Sequence, residues 1–293
     1  MKLKVRHVTS YAYSSPVDLG GHIIHMQPRP LPHQEVLSFS LSAEPPPARR
    51  SEGVDHFGNP VTWLFLDRPH PTFEVVSEAV VDVSFPRPPL ADSTPGWEEV
   101  AACSARGGRD AWQAAEFLFE SPRVPLTPEA GRYAAPTFTP GRPILSCLLE
   151  LTNRIRHEFR FRSGVTSLRT PITTVLERRQ GVCQDFTHLM IAALRALGLP
   201  ARYVSGYIRT KPPPGQTKRL GSDQSHAWVG AWMGPEHGWI DLDPTNDLVV
   251  REEHVVLAWG RDYSDISPLY GIILGGGRHS LHVGVDLDET GRS

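Results

Sequence analysis

The stretch Gly181-Val182-Cys183-Gln184-Asp185-Phe186-Thr187-His188-Leu189-Met190 runs on as Ile191-Ala192-Ala193-Leu194-Arg195-Ala196-Leu197-Gly198-Leu199-Pro200 and leaves the chain little freedom. Val182, Phe186, Met190, Ala193 and Leu197 recur at helical spacing and make one apolar face. Gly198 and Pro200 are a stop signal, and Gly181 interrupts the chain after the charged run Glu177-Arg178-Arg179. The pattern predicts a buried helix with Cys183 in its first turn. Unpaired backbone N–H groups and the positive end of the helix dipole converge there. A thiol in that place is expected to ionise readily, and the same N–H groups can hold an oxyanion. A lone cysteine is as a rule a small core filler, so the weight of this reading depends on residues further along the chain.

The chain has 293 residues, which suits one large domain or two ordinary ones. Hydrophobic residues at 40% and charged residues at 21% allow a normal core. A net charge of −2 leaves no electrostatic footprint for nucleic acid or an anionic membrane. The three cysteines, Cys103, Cys147 and Cys183, are an odd, sparse set that points to reduced thiols. Met1-Lys2-Leu3-Lys4-Val5-Arg6 alternates where a signal peptide would be continuously apolar, and Arg195 breaks the best apolar run. A cytoplasmic protein without a membrane span is therefore expected.

Residues 1–90 read as an N-terminal β domain. Leu37, Phe39 and Leu41 alternate with serines, Val61 to Leu66 is a compact apolar run, and Phe73, Val75, Ala79, Val81, Val83 and Phe85 share one parity. Asp55-His56-Phe57-Gly58-Asn59-Pro60 is the clearest turn. Residues 91–142 read as a linker and helical segment, with candidates at Asp110 to Phe119 and after the cap and first-turn proline Thr127-Pro128. Cys103 falls in a Gly/Arg loop. Residues 143–293 form the core. It opens with the helix Pro143 to Glu158, whose stripe is Ile144, Leu148, Leu151 and Ile155, with Cys147 beside it as a core thiol. A short helix or turn, Pro171 to Arg179, leads into the Cys183 helix, and a strand, Arg202 to Ile208, comes after it. The polar Pro-rich loop Lys211 to Asp223 is expected to cover and gate a cleft. Ser225 to Thr245 reads as a hairpin around Gly234-Pro235-Glu236-His237-Gly238, and Ile272 to Val285 as a final hairpin turning at Gly275-Gly276-Gly277.

Strand alternation sends His226, Trp228 and Trp232 to one face. Pairing Met233 with Gly238 sets His226 opposite Thr245 and makes Asp243 its diagonal neighbour on that face, within reach at about 7–8 Å. A slip of two would bring Asp243 directly opposite, while Asp241 lies further off in this register. A His–carboxylate pair then acts as base and orienter for a thiol: the imidazole takes the thiol proton and returns it to the leaving group. Cys183 on the helix and His226–Asp243 on the hairpin make a papain-type arrangement.

The stretches Gly181-Val182-Cys183-Gln184-Asp185-Phe186, Ser225-His226-Ala227-Trp228-Val229 and Gly238-Trp239-Ile240-Asp241-Leu242-Asp243-Pro244-Thr245-Asn246 resemble the bacterial transglutaminase-like superfamily. Tyr11-Ala12-Tyr13, Pro16-Val17, Pro28-Arg29 and Asp55-His56-Phe57-Gly58-Asn59 resemble the β region that precedes its core. The resemblance implies an α+β fold, a papain-like core with the cysteine helix packed on an antiparallel sheet, preceded by a small β-sandwich-like domain. It also implies a Cys183–His226–Asp243 triad acting on peptide, isopeptide or side-chain amide bonds through a thioester. Because no calcium loop or amine-acceptor site is visible, a cysteine peptidase or amidase is expected over a protein-glutamine transglutaminase or a non-catalytic peptide-binding module. Peptide or protein substrates are the expected partners, and an apolar patch on the β domain would recruit one. Nothing in the pattern sets an oligomeric state.

Lesser assignments surround the three residues. Asp185 reads as a first-turn carboxylate favouring the helix dipole, with a supporting role as the alternative. Gln184 is a candidate oxyanion donor, and Trp228 reads either as a wall of the site or as an ordinary core residue. His188, beyond the reactive end of the helix, reads as structural. Gly260 to Asp265 reads as a surface loop, with lining of the acyl-donor side as the alternative. No CxxC, HExxH or phosphate-cradling loop is present, so neither a metal nor another cofactor is expected.

Overall fold

The computed structural model describes residues 1–107, 111–210 and 224–290. Five strands come first: β1 (Lys2–Ile24), β2 (Gln34–Glu44), β3 (Arg49–Val54), β4 (Pro60–Leu66) and β5 (His70–Val83). A helical segment is next, with α1 (Trp97–Arg106), α2 (Trp112–Ala115), α3 (Pro128–Ala134) and α4 (Ile144–Glu158). Then come β6 (Arg160–Phe161), α5 (Ile172–Arg178), β7 (Gln180–Gly181) and α6 (Cys183–Ala196). The chain closes with β8 (Ala201–Ile208), β9 (Gln224–Trp232), β10 (Trp239–Asp243), β11 (Leu248–Val249), β12 (His254–Gly260), β13 (Leu269–Gly275) and β14 (His279–Glu289).

The N-terminal β domain is organised on β1, which is long enough to serve two sets of neighbours. Its first half pairs with β5 and its second half with β4, in the order β2-β5-β1-β4-β3. The pairing to β5 jumps between Ala12 and Val17, and the sheet bends so that Ile24, Leu64 and Leu66 pack on Phe73 and Val75 as a sandwich-like interior. In β5, Phe73, Val75, Ala79, Val81 and Val83 are all buried, as their shared parity requires. Leu37 departs from the alternation: a bulge between Val36 and Ser38 leaves it 44% exposed while Leu41 is buried.

The expected final hairpin is not one. β13 and β14 are two lengths of one course that runs antiparallel down β1, β13 beside Val17 to Ile24 and β14 beside Leu3 to Tyr13. Both therefore complete the N-terminal sheet, although the sequence pattern places them in the core unit of residues 143–293. Gly275-Gly276-Gly277 forms the break, all three at positive φ, where the course passes the irregularity in β1. A Cβ on Gly276 would fall 2.9 Å from Val17 Cγ2.

The second sheet, β11-β10-β9-β8-β12, is antiparallel and carries α6 on one face. α6 is enclosed by the sheet on one side and by α3, α4 and α5 on the other, so Phe186, Met190, Ala193 and Leu194 are all at most 2% exposed. Gly198 ends the helix at φ 76°, with Leu199 N–H donating to Leu194 O at 3.0 Å. In α4, Ile144, Leu148, Leu151 and Ile155 are buried as the stripe predicts, and burial pushes the Cys147 thiol up to about 11. Cys103, expected in a loop, lies on α1, because Glu98 and Glu99 at its first turn and Arg106 at its last support a helix there. The two sheets are tied by side chains. Gln34 exchanges hydrogen bonds with Val256 at 2.8 Å in each direction, Asn59 does the same with the Trp259 backbone at 2.8 and 2.9 Å, and Arg29 stacks 3.6 Å from the Trp259 ring.

Candidate active site

Cys183 is the first residue of α6, and Val182 before it is extended. The Asp185 carboxylate reaches back one turn: Oδ2 accepts from Val182 N–H at 2.8 Å and from Thr166 Oγ1 at 2.7 Å. That carboxylate lies over Gly181, where a Cβ would fall 2.8 Å from Oδ2 and 2.9 Å from the Asp185 Cβ. The glycine is thus the space in which the cap sits. Burial raises the Asp185 pKa, and the two hydrogen bonds offset only part of the rise. The N–H groups of Cys183 and Gln184 remain at the open end of the helix without intrahelical acceptors.

The β9–β10 hairpin takes the register that the Met233–Gly238 pairing sets. Met233 N–H donates to Gly238 O at 2.8 Å, and the ladder runs from Trp232–Trp239 to Val229–Leu242. Asp243 comes after the last pair and reaches diagonally to His226, whose Nε2 lies 2.7 Å from Oδ2. Oδ1 accepts from Thr245 N–H at 2.9 Å and Asn246 N–H at 3.2 Å, and Asn246 Nδ2 donates to Oδ2 at 2.7 Å. Asp243 is fully buried. Burial alone would raise its pKa, yet the His226 hydrogen bond, the nearby His254 imidazole, the His226 charge and the Asn246 side chain hold it well below the usual carboxylate range. Burial likewise opposes charge on His226, but hydrogen bonds to Asp243 and to Cys183, with their negative charges, raise it to about 10. With Nε2 held by Asp243, Nδ1 is the ring atom left for the sulfur.

Cys183, Gln184 and His226 line one cleft of about 250 Å³, together with residues of β1, β8 and β14. Trp228 does not line it. The indole packs behind His226, ring centroids 6.2 Å apart, and its Nε1–H donates to Asp241 Oδ2 at 3.0 Å. His188 is buried against Tyr203, its Nε2 accepts from Tyr263 N–H at 3.3 Å, and burial lowers it to about 4 despite Asp262 nearby. The segment Gly260 to Asp265 is not a plain surface loop. Asp262 is fully buried and accepts from Arg123 N–H at 2.7 Å, and Tyr263 lines the cleft. The gating loop Lys211 to Asp223 lies outside the described residues.

His254 escapes a sequence reading. It is 2% exposed on β12, with Nε2 3.5 Å from Asp243 Oδ2 and no hydrogen-bond partner on either ring nitrogen. Among the described residues, His226, Asp243 and His254 are the one cluster whose ligand atoms lie within 4.8 Å of one another. No spacing motif foreshadows it, because the third member arrives through β12 pairing at the far side of β8.

The family model for the bacterial transglutaminase-like N-terminal region matches residues 3–82, and that for the transglutaminase-like superfamily matches residues 133–244. The chain belongs to the transglutaminase-like superfamily. An uncharacterized relative from Mycobacterium bovis is 39% identical over 293 residues, covering 98% of this chain and 92% of that protein. One from Mycobacterium leprae is 31% identical over 290 residues and covers 98% of each. The solved structure of a candidate cysteine protease from Cytophaga hutchinsonii matches 100% of this chain and 92% of its own, with a TM-score of 0.75 and 26% identity. A protein-glutamine gamma-glutamyltransferase of Pseudomonas aeruginosa is 39% identical over 72 residues, 24% of this chain and 11% of the transferase. This superfamily chain thus shares its core and its N-terminal β region with relatives of nearly its own length. Among its described residues no helix is long and apolar enough to cross a membrane.

Proposed function

We propose that the protein is a thiol-dependent acyl-transfer enzyme of the cysteine peptidase or amidase type, with Cys183 as nucleophile, His226 as acid and base, and Asp243 as orienter. The observation that carries the reading is the imidazole that is held by a buried carboxylate at 2.7 Å and lines the same cleft as a cysteine at the first turn of a helix. The Cys183 sulfur, its proton held by His226, adds to the carbonyl of a peptide or amide, forming the C–S bond, while the carbonyl electrons move to oxygen. The first-turn N–H groups of α6, with Gln184 beside them, face the resulting oxyanion. Collapse breaks the C–N bond, and His226 gives its proton to the departing amine. Water then loses a proton to His226 and attacks the thioester; collapse breaks the C–S bond, releases the acid and restores the sulfur–imidazolium pair.

An amine in place of water would make the same centre a transferase. The short match to the Pseudomonas aeruginosa transferase favours keeping that second reading. The test is a screen of amide, peptide and isopeptide substrates with and without added amine, run on wild type and Cys183→Ala. Hydrolysis lost in the variant supports the reading. Product formation only with the amine favours the transferase, and turnover that survives in Cys183→Ala removes both.

A further inference from the structure

The cleft is built across both sheets, and the wall facing the sulfur carries no charge. We propose that this wall, from β1 and β14, is a subsite for an uncharged apolar or aromatic side chain next to the carbonyl that Cys183 attacks. The N-terminal domain would then select the substrate, a conclusion that rests on the nucleophile assigned above.

The inward-facing residues of β1 show how the wall arises. Leu3 and Val5 are in the core; His7, next along, shares a hydrogen bond with the Tyr207 hydroxyl at 2.8 Å; Thr9 is 4% exposed, and Tyr11 is only half-buried. Thus this face of β1 is closed through Thr9 and becomes accessible at Tyr11, and its His7, Thr9 and Tyr11 line the cleft with Cys183. β14 lies alongside, Val283 paired with Thr9 and Leu281 with Tyr11. Both line the cleft, yet they stay 45% and 54% exposed. That is apolar surface left uncovered by the fold, and a ligand that removes it from water gains affinity.

Among the described residues no Asp, Glu, Lys or Arg lines the cleft. Of its two imidazoles, His226 is committed to Asp243, and burial lowers His7 to about 4, so it is neutral at pH 7. At the β1–β14 wall a substrate carboxylate or ammonium would lose hydration without gaining a counter-charge from the described residues. The volume of about 250 Å³ fits one side chain with its amide, below the roughly 300–1,000 Å³ of sites for drug-sized ligands.

The test is the rate at which dipeptidyl chloromethyl ketones label Cys183, read by mass spectrometry, with Phe, Leu, Asp or Lys placed in turn at each of the two positions. Phe and Leu at one position should react at least about tenfold faster than Asp and Lys. Leu281→Asp should erase that preference, and Leu281→Arg should accelerate the Asp reagent, a gain that misfolding cannot produce. Equal rates for all four side chains, or a preference unchanged in both Leu281→Asp and Val283→Asp, would overturn the subsite. A labelling preference in a protein that hydrolyses no amide would sink the hydrolase reading and leave the subsite standing. Failure of every reagent to label Cys183 would remove both.

Discussion

Asp243→Asn exchanges one oxygen for nitrogen and tests the acid–base limb of the site. In the folded protein Oδ1 is held by the Thr245 and Asn246 N–H groups at 2.9 and 3.2 Å, so it must remain an acceptor. The amide nitrogen of the variant therefore takes the place of Oδ2, 2.7 Å from His226 Nε2, and the Asn246 side-chain amide, whose Nδ2 donates to Oδ2 at 2.7 Å, turns its oxygen toward it. There it donates, Nε2 must accept, and the proton of a neutral imidazole moves to Nδ1. That tautomer cannot take the thiol proton. The charge balance changes as well. Without the carboxylate the His226 value falls from about 10, because burial is then opposed only by Cys183. Loss of the acid–base contribution predicts kcat lower by about 10²–10⁴. The assay is kcat against pH for the best amide substrate of the wild type. The wild-type alkaline limb should lie near pH 10, and the variant should lose it. Equal kcat at pH 7 with superimposable profiles would refute the assignment of His226 and Asp243.

The packing predicts three further outcomes. Gly181→Ala puts a Cβ 2.8 Å from Asp185 Oδ2, so the cap must shift; the expected cost is about 1–3 kcal/mol by denaturant unfolding, and a neutral result would contradict the capping role. Arg195→Met strips the Phe117, Ala201 and Arg261 carbonyls of donors at 2.8, 2.9 and 2.7 Å from a side chain that is 3% exposed, and a loss of about 3–5 kcal/mol is expected from the unfolding midpoint. His7 is held neutral in the fold down to about pH 4, whereas the unfolded chain binds its proton below about 6.5. Stability from this group is therefore present above pH 6.5 and lost as pH falls, by up to about 3 kcal/mol near pH 4. His7→Phe should flatten that acid limb in thermal melts, and an unchanged slope would count against it.

How far the site could be read depended on distance along the chain. The Cys183 helix, its Gly181 start and its Gly198 stop are local, and their geometry comes from side chains within one or two turns. The His226–Asp243 contact spans only a tight hairpin, so fixing Met233 on Gly238 fixes it too. Trp228 shows the limit of that logic. Parity puts it on the His226 face, but whether it faces cleft or core depends on Val204, Val250 and Val256, which arrive from β8 and from in and around β12.

The parts that could not be read all come through long-range pairing. β13 and β14 carry alternating apolar residues that suit a hairpin as well as they suit the edge of β1, and only the bend of β1 decides between the two. His254 resembles any strand histidine until β12 takes its place beside β8. Asp262 sits in a polar run, and its burial depends on Arg123 and Ser264 closing over it from both sides. The chemical centre and its surroundings thus differ in kind. Cys183 and the His226–Asp243 pair are each fixed by short segments, which lets them be recognised from local motifs. The cleft wall is made by residues near both ends of the chain, Tyr11 and Leu281, brought side by side. Changes at that junction reshape the cleft wall without touching the hairpin or the helix start, so on the proposed reading selectivity and chemistry would vary separately in this architecture.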